Sequence, residues 1–305
     1  MKRNTIKRKI SVAVILLFLF LLTYSLVLIL PIFWGVTTSF KTRGEYIADR
    51  VWLTPSVFFN HISKGTLLNN YKISLEYLIV DKYDVSTLGT DAANIYEMVL
   101  WSVLYAVGGS LAHAIVTFAV AYVTAKFDWK FSKIIYAFVV FTMSFQMVGT
   151  LTSQIQVAEF LGIRDTVIGV YFMKAHFLTV YYLVFYAAVK SIPSSYFEAA
   201  KIDGANNGQL LIHVALPLIK NIFLTVTLLF LIAYWNDYET PMLFMRNQPT
   251  VAYGIYAFSQ KSSGKLSNVP ARMAGCMLLL IPMLALFIVF NKRLMQSISI
   301  GGLKE

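Results

Sequence analysis

The sequence predicts an all-α integral membrane protein with six transmembrane helices. Three observations carry that prediction: the composition, the number of long apolar stretches, and the placement of the cations. Apolar residues make up 58% of the 305 positions and charged residues 13%, with a mean hydropathy of +0.66. These values lie outside the usual soluble range, and a soluble domain of this length would have to expose large apolar patches. A helix needs about 20 mostly apolar residues to cross the hydrocarbon core. Six stretches qualify: 10–33, 96–125, 131–152, 167–190, 214–240 and 271–291.

Along the chain, the apolar run from Ile10 to Phe33 is longer than a secretory-signal core and has no obvious small-x-small cleavage site. It reads as an uncleaved first span within a segment 1–40. Residues 41–95 carry turn chemistry (Thr54-Pro55, Gly65, Gly89) and short mixed runs, and read as an external segment or cap. The core 96–291 holds the other five spans. Within the second, Gly108, Gly109 and Ser110 read as a close helix–helix contact. Residues 241–270 contain Pro241, Pro249, Gly254, Gly264 and Pro270 and read as an external loop. Cys276, the single cysteine, lies in an apolar stretch and reads as packing. Residues 292–305 form a tail.

The cations give the orientation. With the amino terminus inside, the inside segments hold 14 Lys/Arg against four acids, whereas the outside segments hold 11 of each sign. Most outside cations sit in two long loops, which translocate with little regard to charge. Both termini are therefore expected in the cytoplasm of a multi-pass protein of the cell (inner) membrane. The formal net charge of +11 follows this sidedness, not an arginine-rich stripe, so nucleic acid is not an expected partner.

The loop 193–220 between the fourth and fifth spans then falls inside. Pro193 stops the preceding helix, Ser195-x-x-Glu198 matches a capping box, and Gly204 suits a left-handed helix stop. The expected product is a helix of about two turns, showing Tyr196 and Phe197 as interface anchors and Ala199 and Ala200 as points of close approach. Leu216-Pro217 marks the start or a kink of the fifth span.

The pattern Glu198-Ala199-Ala200, Asp203-Gly204-Ala205 and Leu216-Pro217 resembles the EAA loop of binding-protein-dependent ABC importer permeases, and most of all the carbohydrate branch that includes the maltose permease second subunit. The resemblance covers about 96–305. It includes Gly162-Ile163-Arg164-Asp165-Thr166, Trp235-x-x-Tyr238 with Pro241, Met273-Ala274-Gly275, and the tail from Gln296 to Lys304 with Gly301-Gly302. The segment 41–95 is longer than this family leads one to expect, and no proline stands within Thr142 to Gln146. The resemblance implies a type I ABC importer permease fold. It further implies a second homologous permease subunit in a heterodimer, two ATPase subunits beneath, and an extracellular or periplasmic solute-binding protein above. Tyr196, Phe197, Glu198, Ala199, Ala200, Lys201, Asp203, Gly204, Ala205, Leu216 and Pro217 would then form the ATPase-coupling loop.

For the solute, a sugar or oligosaccharide by resemblance, the candidate pathway residues are His113, Lys174, Trp235, Asn236, Tyr238 and Glu239. Ionisable groups inside a membrane are functional candidates, and aromatic faces with amides and carboxylates suit sugars. The sequence holds no G-x-x-x-x-G-K-[ST], so ATP and Mg are assigned to the partner ATPases and no cofactor to this chain. No catalytic or metal site is expected. A membrane-embedded protease would need a G-x-S-x-G or His-Glu-x-x-His arrangement, which is absent. A secondary transporter or channel would favour inverted repeats and broken mid-membrane spans.

Overall fold

A computed structural model of the chain describes residues 12–82, 92–145, 149–260 and 268–300. It divides into two compact units, Met1–Tyr77 with Lys261–Leu278, and Leu78–Gln260 with Leu279–Glu305. The cations from Lys2 to Lys9, the Gln146 position and the Gly301-Gly302 signature lie outside the described residues.

The first unit begins with α1, Val12–Ser39. Every side chain described from Val14 to Phe33 is exposed, as expected of a helix whose solvent is lipid. The two hydroxyls within it are satisfied by its own backbone: Thr23 Oγ1 donates to the Leu19 carbonyl at 2.9 Å and Ser25 Oγ to that of Leu21 at 2.8 Å. Three short helices follow: α2, Arg43–Ala48; α3, Pro55–Ser63; and α4, Asn69–Tyr77. A capping box starts α2, with Thr42 Oγ1 accepting from Glu45 N and Glu45 Oε2 accepting from Thr42 N.

The interior of this region is polar. Lys41, 1% exposed, donates to the Asp49 carbonyl at 2.7 Å. Asn70 Nδ2 donates to the carbonyls of Ser39 and Lys41, and buried His61 bridges Glu45 and Thr66. Partial burial works to raise the Glu45 pKa, but bonds from the Thr42 backbone and His61 outweigh it and hold the carboxyl below its ordinary value.

The second unit opens with a two-stranded antiparallel pair, β1 (Val80–Asp81) and β2 (Ala92–Ala93), in register Val80 with Ala93. The expectation of an all-α chain is corrected to a mostly helical one by this pair. Next come α5, Ile95–Val103, a π-helical turn at Leu104–Gly108, and α6, Gly109–Lys126. Together they form one apolar run of 32 residues, about 48 Å at 1.5 Å per residue. The remaining elements are α7, Lys130–Ser144; α8, Leu151–Phe160; α9, Val167–Lys174; α10, Val180–Lys190; and α11, Ser194–Ile202. They continue with α12, Asn207–Gln209; a second π turn, Leu210–Ala215; α13, Leu216–Leu218; α14, Lys220–Asn236; α15, Glu239–Phe244; and α16, Val251–Gln260. The last helix, α17, runs from Val269 to Ile300.

Among the described residues, three single helices are long and apolar enough to cross a membrane: Val14–Ser39, Ile95–Lys126 and Val269–Phe290. A fourth span is counted if Asn207–Leu218 and Lys220–Asn236, bent by 84°, are taken as one. The expected span 131–152 is a 15-residue helix, α7, followed by a break before α8. The expected span 167–190 is α9 and α10 with a non-helical step between them, where Ala175 leaves the helix and Thr179 Oγ1 caps α10 by accepting from Tyr181 N. The expected loop 241–270 is in part helical, through α15 and α16.

The core of the second unit is built on α6, against which α10 and α14 pack. Phe118 meets Phe185 and Phe223 edge-on at 5.6 and 5.8 Å, a favoured aromatic geometry. Tyr182 Oη donates to Thr124 Oγ1 at 2.7 Å, so this buried hydroxyl has a partner. At the other end, a Cβ at Gly108 would stand 2.1 Å from Tyr171 Oη, and one at Gly109 would stand 2.6 Å from the Tyr234 ring. The glycines are what allow these two tyrosines to close on the helix, and Tyr171 Oη donates to Leu104 O in the π turn.

Gly108→Ala should therefore cost about 1–3 kcal/mol through overpacking and lower the melting temperature of the detergent-solubilised chain. Gly44→Ala, where nothing lies within 4 Å of the added carbon, should be near neutral. Equal melting of the two variants would refute the close contact.

Candidate functional sites

The first candidate site is the loop 193–220. Pro193, with φ −56 and ψ 139, takes the cap position of α11, and no side chain caps the helix. The expected Ser195–Glu198 capping box is therefore corrected: both residues already lie within the helix, past the position a cap must occupy. A capping box does occur nearby, between Asn206 and Gln209 at the start of α12. The other end of α11 closes as a full Schellman motif. Gly204 has φ +87, its N–H donates to Lys201 O at 3.0 Å, and Ala205 N–H donates to Ala200 O at 2.9 Å.

Adjacent residues of a helix point about 100° apart, and here that separates the two aromatics. Phe197 is 2% exposed and belongs to the protein's own core, against Tyr122 at 6.3 Å and beneath Lys126, whose Nζ lies 3.6 Å from the ring centroid. It is not available to a partner, which corrects its expected role as an outward anchor. Tyr196 is 53% exposed, and Glu198, Ala199, Lys201 and Asp203 are also exposed. Tyr196, Ala199, Ala200 and Asp203 follow the spacing of one helix face.

A cleft of about 330 Å³ opens beside this face, lined by Ala200, Asp203, Gly204, Ala205, Gln209, His213 and Val214. Exposed Ile202 lies next to it in sequence, an apolar residue in a polar helix that sequence reading passed over. Pro217 lies in α13, directly after the π turn. Proline supplies no N–H to the preceding turn, which accounts for the widened helix there. The 84° bend follows at Ile219.

The second candidate site is centred on Asp237, which follows α14. Its Oδ2 accepts from Thr240 Oγ1 at 2.6 Å, Tyr105 Oη at 2.8 Å and Lys174 Nζ at 3.1 Å, while Oδ1 accepts from Thr240 N at 3.0 Å. The carboxylate thus joins three elements and fixes the turn into α15. A cavity of about 200 Å³ adjoins it, lined by Leu151, Gln154, Met173, Lys174, Glu239, Thr240, Leu243 and Phe244. The turn 162–166 is tied to the same region: Asp165 N–H donates to Phe244 O at 2.9 Å, and Asp165 Oδ1 accepts from Arg246 N at 2.8 Å.

Of the six expected pathway residues, Lys174 and Glu239 line this cavity. His113 does not: it stacks on Phe230 at 3.8 Å, with Tyr234 Oη 3.3 Å from its Nδ1. Trp235 Nε1 donates to the Leu279 carbonyl, and Asn236 bonds back to Ile232 of its own helix. Tyr238 stacks on Tyr256 at 4.4 Å. Gln154 and Thr240 were not singled out by their spacing, because they come from separate elements, α8 and α15. Among the described residues no group of three His, Cys, Asp or Glu side chains is placed to hold a metal ion.

Comparison with known proteins adds a match, over residues 117–300, to the family model described as binding-protein-dependent transport system inner membrane component. The melibiose/raffinose/stachyose import permease protein MelC of Bacillus subtilis (strain 168) is 24% identical over 284 residues, covering 90% of this chain and 91% of that protein. The probable starch degradation products transport system permease protein AmyC of Thermoanaerobacterium thermosulfurigenes is 28% identical over 305 residues, 98% of this chain and 100% of that one. Among solved structures, a chain of a bacterial ABC transporter involved in the import of the acidic polysaccharide alginate superposes with a TM-score of 0.69 at 21% identity. The superposition covers 91% of this chain and 95% of that chain.

Removing the Asp237 carboxylate strands the Tyr105 and Thr240 hydroxyls and the Lys174 ammonium. Asp237→Ala should cost about 1–3 kcal/mol, less than a fully buried pair because Lys174 is 39% exposed. The expected readout is a lower melting temperature of the solubilised chain, with Asp237→Asn intermediate. An unchanged melting temperature for Asp237→Ala would remove this carboxylate as the organiser of the site.

Proposed function

The chain belongs to the family of binding-protein-dependent transport system inner membrane components, and from that premise we propose that it carries a sugar or oligosaccharide inward as one half of a heterodimeric permease. As a permease subunit of an ABC importer it is a non-catalytic membrane protein. The cargo class is supported by the relatives, whose names concern melibiose, raffinose and stachyose or starch degradation products. Two ATPase subunits would supply the ATP and Mg chemistry, and an external solute-binding protein would deliver the cargo. Six membrane crossings are proposed, with both termini in the cytoplasm; the broken pairs α7/α8 and α9/α10 and the bent α12–α14 segment would supply the crossings that are not single straight helices.

The observation that carries the coupling role is the exposed face of α11 beside its cleft. The buried Phe197 side chain holds the opposite face to α6. In this reading an ATPase surface receives Tyr196, Ala199, Ala200 and Asp203, and displacement of α11 reaches the spans through Phe197. Glu198 and Lys201 contribute exposed charge of opposite sign to the same docking surface. Gly204 and Ala205 set the exit of the chain from α11, and Leu216 and Pro217 set its approach to α14. Lys174 and Glu239 are the two pathway residues retained for contact with the solute; a cation and a carboxylate beside apolar Phe244 and Met173 suit a hydroxyl-rich ring.

Glu198→Lys should leave insertion and assembly intact and uncouple ATP hydrolysis from uptake in proteoliposomes. Because Glu198 caps nothing, Glu198→Gln should weaken coupling by removing the charge alone, to an extent between wild type and Glu198→Lys. Gly204→Pro should also uncouple, by forbidding the positive φ. Wild-type coupling in Glu198→Lys and Gly204→Pro together would sink the docking role. The cargo class is tested separately by a thermal-shift screen of the partner binding protein against neutral sugars, uronates and amino acids; stabilisation by amino acids alone would overturn the carbohydrate reading.

A further inference from the structure

The region after α1 has a polar interior and a surface on which exposed apolar side chains stand among charged ones such as Asp49, Arg50 and Lys64. Its interior holds Lys41, His61, Asn70 and Ser74, all buried. Its exposed side holds Ile47 at 65%, Val51 at 53%, Trp52 and Phe59 at 66% and Ile62 at 49%. Single exposed apolar residues need no explanation, but a clustered set around a polar interior does. On α3, Phe59 and Ile62 are three residues apart and share a face with Pro55, while His61 is buried on the other side.

The position of this surface along α1 can be measured. From Val14 to Trp34 the helix rises about 30 Å, which matches the thickness of the hydrocarbon core, about 30 Å. Trp34 therefore stands at a boundary of the bilayer, where tryptophan is enriched. Its Nε1 donates to the Arg50 carbonyl at 2.8 Å, which fixes Val51 and Trp52 at the same depth. An apolar groove of about 400 Å³ lies just beyond, with Val36 and Thr37 of α1 and the following Phe40 on one wall and Leu53, Phe58 and Phe59 on the other. Val36 and Thr37 are about 3 and 5 Å past Trp34 along α1 and Phe40, just after the helix, about 9 Å, so the groove runs from the edge of the hydrocarbon core to the outer edge of the headgroup layer, which is about 5–8 Å deep. Its α1 wall continues the lipid-exposed surface of that helix, and Arg50 offers an exposed cation at the level of the phosphates.

We propose that residues 47–62 are seated in the interfacial layer of the bilayer, with Trp52 and Phe59 inserted and phospholipid headgroups with the uppermost chain segments covering the groove between α1 and α3. The segment thus acts as a lipid-anchored collar on the first span. It ties the start of the chain to the membrane surface at a fixed height, independently of the coupling loop and of the solute.

The test uses the full chain with Cys276→Ala, carrying one cysteine at position 52 or at position 59 and labelled with bimane. It is placed in nanodiscs of phosphatidylcholine and phosphatidylglycerol, alone and within the assembled importer. Lipids brominated near the headgroup end of the chain should quench both labels at least about twofold more than lipids brominated near the methyl end. Aqueous iodide should quench them far less than a label at position 207. Iodide quenching equal to that at 207 without bromolipid quenching would overturn the proposal in favour of a water-facing surface. Protection from both quenchers in the assembled importer would overturn it in favour of a protein partner. A label-free measurement supports or contradicts the same claim: Trp52→Phe should remove part of the bromolipid-quenchable tryptophan emission of the otherwise unmodified chain, and no change would count against insertion.

Discussion

Both candidate sites depend on the packing of one helical run, Ile95–Lys126, against α10 and α14. Near one end of that run, Tyr105 holds Asp237, and Asp237 holds the turn into α15. Near the other end, Tyr122 and Lys126 hold Phe197. About 25 Å of helix lies between Tyr105 and Tyr122, stiffened by the Phe118–Phe185–Phe223 cluster and the Tyr182–Thr124 bond. The glycines at 108 and 109 matter because they let Tyr171 and Tyr234 approach closely at one end without breaking the run. If the two candidate sites are the ATPase contact and the solute path, as proposed, one backbone element links them.

Magnitudes indicate which contacts hold α11 in place. Full burial of a phenylalanine side chain is worth about 1.5–3 kcal/mol, and a cation over an exposed or partly buried ring about 0.5–2 kcal/mol. Packing of Phe197 is therefore the larger contribution and Lys126 the smaller. On the Asp237 side the contacts are directional hydrogen bonds to a carboxylate, and each weakens steeply once its donor angle falls below about 120°.

Much of this was legible in the sequence. Apolar length gave the membrane and the first span, and the glycine after a short polar helix gave its left-handed stop at Gly204. What failed did so for identifiable reasons. The break between α9 and α10 falls in Ala175, His176, Phe177, Leu178 and Thr179, a stretch with no glycine or proline and enough apolar character for a length criterion to run through it. Two adjacent serines after a proline suggested a start at Ser195, two residues past the observed cap at Pro193, and that shift decides whether a capping box exists. Tyr196 and Phe197 are neighbours, and only the phase of α11 against α6, which sequence does not contain, tells the inward ring from the outward one. Asp237 was passed over as a hub because its partners are 132 and 63 residues away. The polar interior of the region after α1 was invisible for the same reason: alternation within short mixed runs does not say which side meets lipid.

The attachment of α11 has a mechanical consequence. Among the described residues, no side-chain hydrogen bond joins α11 to another helix; it is held by packing, with Phe197 in its pocket under Lys126 and Ala200 against the core. Dispersion and burial are non-directional, so a ring can turn in its pocket with little change in energy, whereas the Asp237 cluster cannot turn without breaking bonds. The two ends of α6 therefore differ as a ball joint differs from a rivet. Under the proposed coupling, a stroke delivered to α11 would be passed on over a range of angles as a push along the rod, and the riveted end would convert it into a movement of one defined direction.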